Sequence, residues 1–123
     1  MNISISNMIY DLESRTSDFS QRIIFFVKTL TITKINQNII SQLLRSATSI
    51  GANYREANNG SSKKDFINKI SICRKEARET EYWIELLAKI ETDRLTELRV
   101  VWSEAHQLTL IFGKISSSSK LKI

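Results

Sequence analysis

From Phe66 to Leu87 the positions Phe66, Ile70, Cys73, Ala77, Thr80, Ile84 and Leu87 recur in strictly alternating steps of four and three. A strand buries every second residue, whereas this spacing keeps one stripe of an α-helix against a neighbour along its whole length. It is the seam of a helical bundle. Ser62, three residues before Asp65, marks where that helix begins. In such a capping box the serine hydroxyl accepts from a free backbone N–H of the first turn and the acidic side chain can reach back. Little in the chain interrupts long helices, since its 123 residues include no proline and only three glycines.

The same spacing, less strictly kept, gives three more segments. The first runs from about Asp11 to Leu30 with Leu12, Phe19, Ile23, Phe26 and Leu30 on one face, and the β-branched stretch Thr29 to Ile35 is the expected connection. The second runs from about Asn36 to Asn59 and is expected to bury Ile39, Leu43, Ala47, Ile50, Tyr54 and Ala57, with Gly60 suited to its end. The fourth starts near Thr92 and carries Leu95, Leu98, Trp102, Ala105, Thr109 and Phe112 before Gly113. Connections of a few residues make consecutive helices antiparallel neighbours, so the expected fold is all-α, an up-down-up-down four-helix bundle. Residues 1–115 form this single domain, and the Ser/Lys-rich tail 116–123 is expected to be disordered. Gly51, inside the second helix, weakens it by about 1 kcal/mol relative to alanine unless another helix approaches closely there.

Several chemistries are poorly served by these residues. No apolar run is long enough for a membrane span, the longest being Ile23 to Val27, and the first residues lack the basic start and apolar stretch of a secretion signal. A cytoplasmic location is expected, compatible with a single cysteine, Cys73, that has no second thiol to pair with. On the seam between Ile70 and Ala77, Cys73 reads as a small hydrophobe, and the only histidine, His106, is tied to it by no pattern. A dinuclear metal site of the bundle type needs Glu-x-x-His pairs on two helices, which one histidine cannot supply, so no metal or cofactor is expected. With no glycine-rich phosphate loop or nucleophile elbow either, the chain does not read as an enzyme.

Charge points elsewhere. The formal net charge is +5, which permits an anionic partner such as RNA as well as simple solubility. Lys28, Lys34, Lys63, Lys64, Lys114, Lys120 and Lys122, several near helix ends, are the candidates for phosphate contact. Arg74, Lys75 and Arg78 could also reach phosphate, but helix-spaced pairs Lys75 with Glu79 and Glu85 with Lys89 favour a solvated mixed-charge face there. Two further rows exceed what a plain bundle needs. The second helix carries Gln42, Ser46, Ser49, Asn53 and Glu56, and the third carries Ile72, Glu76, Glu79, Trp83, Leu86 and Ile90. Either these pack within the bundle, with Glu76 and Glu79 meeting Arg45, Asn53 or Arg55, or part of the surface joins subunits.

The block from Gln42 through Arg45, Ser46, Ser49, Asn53 and Glu56 to Ala57, followed by Lys64-Asp65-Phe66 and by Lys75-Glu76-Ala-Arg-Glu79-Thr-Glu81-Tyr82-Trp83, resembles the four-helix bundle proteins called S23 ribosomal proteins. Members of that family are encoded in intervening sequences of bacterial large-subunit rRNA genes and elsewhere in genomes. The resemblance is strongest over the two central helices, and it differs from the commoner pattern at Gly51 and Ala57. It implies a homopentamer, and a relation to accessory proteins of diversity-generating retroelements, which bind a reverse transcriptase and nucleic acid through a basic pentameric surface. The expected function is therefore that of a non-enzymatic homo-oligomeric scaffold binding RNA or a ribonucleoprotein through basic surfaces. Accessory binding to a reverse transcriptase, or a purely structural interaction role, are the alternatives.

Overall fold

The computed structural model describes residues 5–60 and 62–121, with side chains for 11–60 and 62–119. Four helices follow one another: α1 (Ile5–Lys28), α2 (Gln37–Asn58), α3 (Lys63–Ile90) and α4 (Leu95–Leu121), the last entered through a single 3-10 turn, Thr92–Arg94. No strand occurs among the described residues. Consecutive helices are antiparallel neighbours and α4 returns beside α1, closing an up-down-up-down four-helix bundle. The α1–α4 seam is the loosest of the four.

The seam of α3 is buried as its spacing requires, with Ile70, Cys73, Ala77, Thr80, Ile84 and Leu87 all inside. Leu12, Phe19, Ile23 and Phe26 face them from α1. On α2 the buried stripe begins at Ile40 rather than Ile39, because the three-four stepping through Leu43, Ala47, Ile50, Tyr54 and Ala57 puts Ile40 on the inner face. Tyr54 and Phe112 pack across the core with ring centroids 5.8 Å apart. Each such side chain contributes about 1.5–3 kcal/mol by leaving water.

Ser62 caps α3 by accepting from the Asp65 backbone N–H at 3.1 Å. Gly60 ends α2 without a left-handed backbone, and a Cβ there would stand 3.2 Å from the Ala57 carbonyl oxygen. The α1–α2 connection is organised by buried Asn36. Its Oδ1 accepts from the Thr33 N–H at 2.8 Å, while its Nδ2 donates to the Thr31 carbonyl at 2.9 Å and to Glu91 at 3.1 Å, tying the connection to the end of α3.

The fourth helix departs most from expectation. It does not stop at Gly113 but continues through the serine run to Leu121, across most of the stretch expected to be a disordered tail. The cause is its neighbour: α3 extends alongside, and Ile115 and Ser116 stay buried. Gly113 is helical and lies under Arg74, whose Nε would be 3.2 Å from an added Cβ. Leu95, expected inside, is partly exposed at the mouth of the bundle, and Val101, Leu108 and Ile115 join the core instead. Lys122 and Ile123 lie outside the described residues.

Candidate nucleic-acid interface

The small polar row of α2 lets α3 approach closely, and the side chains of Gln42, Ser46, Asn53 and Glu56 find partners within the chain. Ser46 and Thr80, both buried, share a hydrogen bond of 2.9 Å, and Thr80 also reaches the Glu76 carbonyl at 2.8 Å. Arg45 donates to Glu76 at 3.0 Å and pairs with Glu79 as well, and Glu79 accepts from the Trp83 indole N–H at 3.2 Å. Lys69 pairs with Glu56 at 3.0 Å, while Asn53 donates to the Ser49 carbonyl at 2.8 Å. Of the three partners expected for Glu76 and Glu79, only Arg45 is used. Arg55 instead faces Glu13 at 3.9 Å.

The carboxylates on the other side of α3 are engaged by α4. Glu85 accepts from the Trp102 indole N–H at 3.0 Å. Glu81 accepts from the Thr109 hydroxyl at 2.6 Å and lies 3.4 Å from His106 Nδ1, with the His106 ring stacked on Trp102. Neither helix-spaced pair expected from the sequence forms, because Glu79 is drawn to Arg45 and Trp83 and Glu85 to Trp102. Among the described residues, Arg74, Lys75 and Arg78 thus have no ion-pair partner, and all three are exposed.

This leaves α3 electrically divided along its length. Between Lys63 and Arg78 six cations stand against two carboxylates, and between Glu79 and Glu91 one cation stands against four. At roughly 100° per residue, Lys63, Lys64, Arg74, Lys75 and Arg78 fall within an arc of about 120°. Asp65 and Glu76 point to the far side, the latter into the α2 seam. The adjacent end of α4 adds exposed Lys114 and has no acidic residue after Glu104. A strongly basic face therefore covers the outer side of α3 and α4 at one end of the bundle. Exposed Tyr82 lies one turn beyond Arg78 on the same side.

The lysines singled out from the sequence do not all lie together. Lys63, Lys64 and Lys114 belong to this face. Lys28, ending α1, and Lys34, in the following connection, are exposed at the opposite end. The side chains of Lys120 and Lys122 lie outside the described residues. Sequence reasoning set Arg74, Lys75 and Arg78 aside as a solvated mixed-charge face on the strength of the Lys75–Glu79 and Glu85–Lys89 spacings, although their shared arc with Lys63 and Lys64 was there to be read.

Other groups are placed unfavourably for chemistry. Cys73 is buried against α2, with its Sγ 3.5 Å from the Ile50 carbonyl oxygen, and burial pushes its thiol up to about 12, so the nucleophilic thiolate is suppressed. His106 is engaged on the α4 side of α3, away from it. Along the loose α1–α4 seam, Arg15 clamps Glu104 with two bonds of 2.7 and 2.8 Å and donates to Gln107 at 3.0 Å. The hydrogen bond to Glu104 raises the Arg15 pKa despite partial burial. Toward the other end of that seam a groove of about 390 Å³ opens between Phe25 and Val100, which are 60% and 50% exposed. No helix among the described residues is long and apolar enough to cross a membrane, and no group of three or more His, Cys, Asp or Glu among them could hold a metal.

Comparison with known proteins agrees with this architecture. A solved structure from Bacteroides thetaiotaomicron, described as a protein of unknown function from the S23 ribosomal protein family, superposes with a TM-score of 0.80 at 34% identity, covering 93% of this chain and 99% of that one. Among curated proteins the chain has no significant match. The family model of the 23S rRNA-intervening sequence proteins matches residues 10–113, the four helices nearly in full, and the chain belongs to that family.

Proposed function

We propose that the protein is a non-enzymatic, self-associating helical scaffold that binds RNA, alone or within a ribonucleoprotein, through the basic face of α3 and α4. The observation that carries this reading is the exposed arc of Lys63, Lys64, Arg74, Lys75 and Arg78, beside which Glu76 and Glu79 are turned to α2 and Glu81 and Glu85 to α4. Cations with no intramolecular partner keep their full field for phosphate, and arginine adds bidentate geometry. Exposed Phe25 and Val100, on the α1–α4 seam toward the opposite end of the bundle, support self-association, which in the homopentamer implied by the family resemblance would repeat the basic face about fivefold.

The test is filter binding of labelled large-subunit rRNA fragments across a salt series, with light scattering on the same preparation. Binding that falls steeply and log-linearly with salt, by a particle larger than one chain, is the expected result. An oligomer with no affinity for RNA at low salt would leave a purely structural interaction role. A monomer would remove the scaffold.

A further inference from the structure

An aromatic ring borders the basic face, one turn past its last cation. Tyr82 is 53% exposed and follows Arg78 by four residues and Lys75 by seven, so the three lie along one side of α3 about one turn apart. The ring packs against Trp83 in a T-shaped contact, with a centroid distance of 5.1 Å and an interplanar angle of 62°. Trp83 is fixed in turn by its indole bond to Glu79, and Glu79 by Arg45. A large ring held in this way loses little freedom when a flat partner settles on it.

We propose that Tyr82 is a stacking platform for an unpaired nucleobase, with Arg78, Lys75 and Arg74 holding the flanking phosphates, so that the face selects single-stranded segments of RNA over duplex. This inference rests on the RNA-binding reading above and narrows its substrate class. In duplex RNA the bases are stacked on one another and the major groove is too narrow for side chains, so an aromatic ring on a convex helix gains nothing from them. Unpaired bases in loops, bulges and ends present a free face that an aromatic side chain can cover. The cations alone would bind either form through counterion release. The ring makes the difference.

The experiment compares a single-stranded oligoribonucleotide with a duplex of the same length, measured by fluorescence anisotropy on the full chain and on Tyr82→Ala, Tyr82→Phe and Arg78→Ala variants. Tyr82→Ala is expected to weaken single-strand binding about 5- to 150-fold, the range found for loss of one base–aromatic stack, while duplex binding and the salt slope stay as they were. Tyr82→Phe should retain single-strand affinity. Arg78→Ala should weaken both forms and lower the salt slope by about one. Equal or no loss in Tyr82→Ala, while Arg78→Ala still weakens binding, overturns the stacking role and leaves the basic interface standing. Absence of binding to either form by the unaltered chain overturns both. Because Tyr82 is exposed, circular dichroism of the variants should match the parent, and a collapsed Tyr82→Ala is replaced by Tyr82→Ser for the same comparison.

Discussion

Ser46 on α2 and Thr80 on α3 hydrogen-bond to each other at 2.9 Å in the sealed interior, and each hydroxyl also lies near a carbonyl of its own helix, Leu43 for Ser46 and Glu76 for Thr80. Two hydroxyls in the core would each cost stability if left alone. Shared, they draw the two helices together at small side chains. Thr80→Val should cost about 1 kcal/mol, and the Ser46→Ala, Thr80→Val pair less than the sum of the singles, with a coupling of about 0.5–1.5 kcal/mol. Urea denaturation of the four proteins of the cycle measures it, and strict additivity would mean that the bond contributes nothing.

At Gly51 α1 packs closely against α2. An added Cβ would stand 3.3 Å from Thr16 Oγ1 and 3.4 Å from Thr16 Cβ, and that hydroxyl is itself held by the Leu12 carbonyl at 2.7 Å. Alanine's helical preference of about 1 kcal/mol should therefore be cancelled at this position in the parent chain. In a Thr16→Ala background, where the hydroxyl and methyl are gone, Gly51→Ala should stabilise by about 0.5–1 kcal/mol. Thermal melts of both pairs decide whether contact with Thr16 is the reason for the glycine.

Arg45 is half-exposed but engages two carboxylates, whereas Arg55 reaches Glu13 only at 3.9 Å. Exposed ion pairs contribute little, and geometry separates the useful ones. Arg45→Ala is expected to lose about 0.5–1 kcal/mol and to alter tryptophan emission, since Trp83 rests on Glu79. Arg55→Ala should change neither. Equal effects would argue against a brace at Arg45.

Burial holds the Cys73 thiol protonated up to about 12, against 9.0 for a free thiol. A group whose pKa is raised by folding contributes in full below its unfolded value and loses that contribution as pH climbs toward the folded one. Stability should therefore decline from about pH 9 upward, and Tyr54, raised by its own burial, acts in the same direction. Cys73→Ala should decline less steeply over that window. At pH 8 a thiol-alkylating reagent should leave the native protein unmodified and react on addition of denaturant.

Much of this molecule was legible in its residues, and the limits were set by contacts between helices. The four-three stepping and the Ser62 cap depend on local geometry; the stripe is buried from Ile70 to Leu87, with Phe66 at its start only partly so, and the cap is present. The fourth helix was cut short because Gly113 and four serines look like an ending when α3 is left out; packing of Ile115 against the core overrides that weak local preference. The pairing on the outer face of α3 differs from expectation for a related reason. Spacing along one helix predicts Lys75–Glu79 and Glu85–Lys89, but Arg45 and Trp102 arrive from neighbouring helices and take those carboxylates.

The central claim is that the outer face of α3, and not lysines in general, meets the phosphate backbone. It is tested by comparing salt-dependent RNA binding of the parent with an Arg74→Ala, Lys75→Ala, Arg78→Ala triple variant and a Lys28→Ala, Lys34→Ala double variant. Loss of three phosphate contacts to a single strand should lower the salt slope by about 2 and weaken binding across sequences alike, while the double variant, altered at the opposite end of the bundle, keeps the parent's slope and affinity. Equal loss in the two variants, or loss only at Lys28 and Lys34, would contradict the assignment.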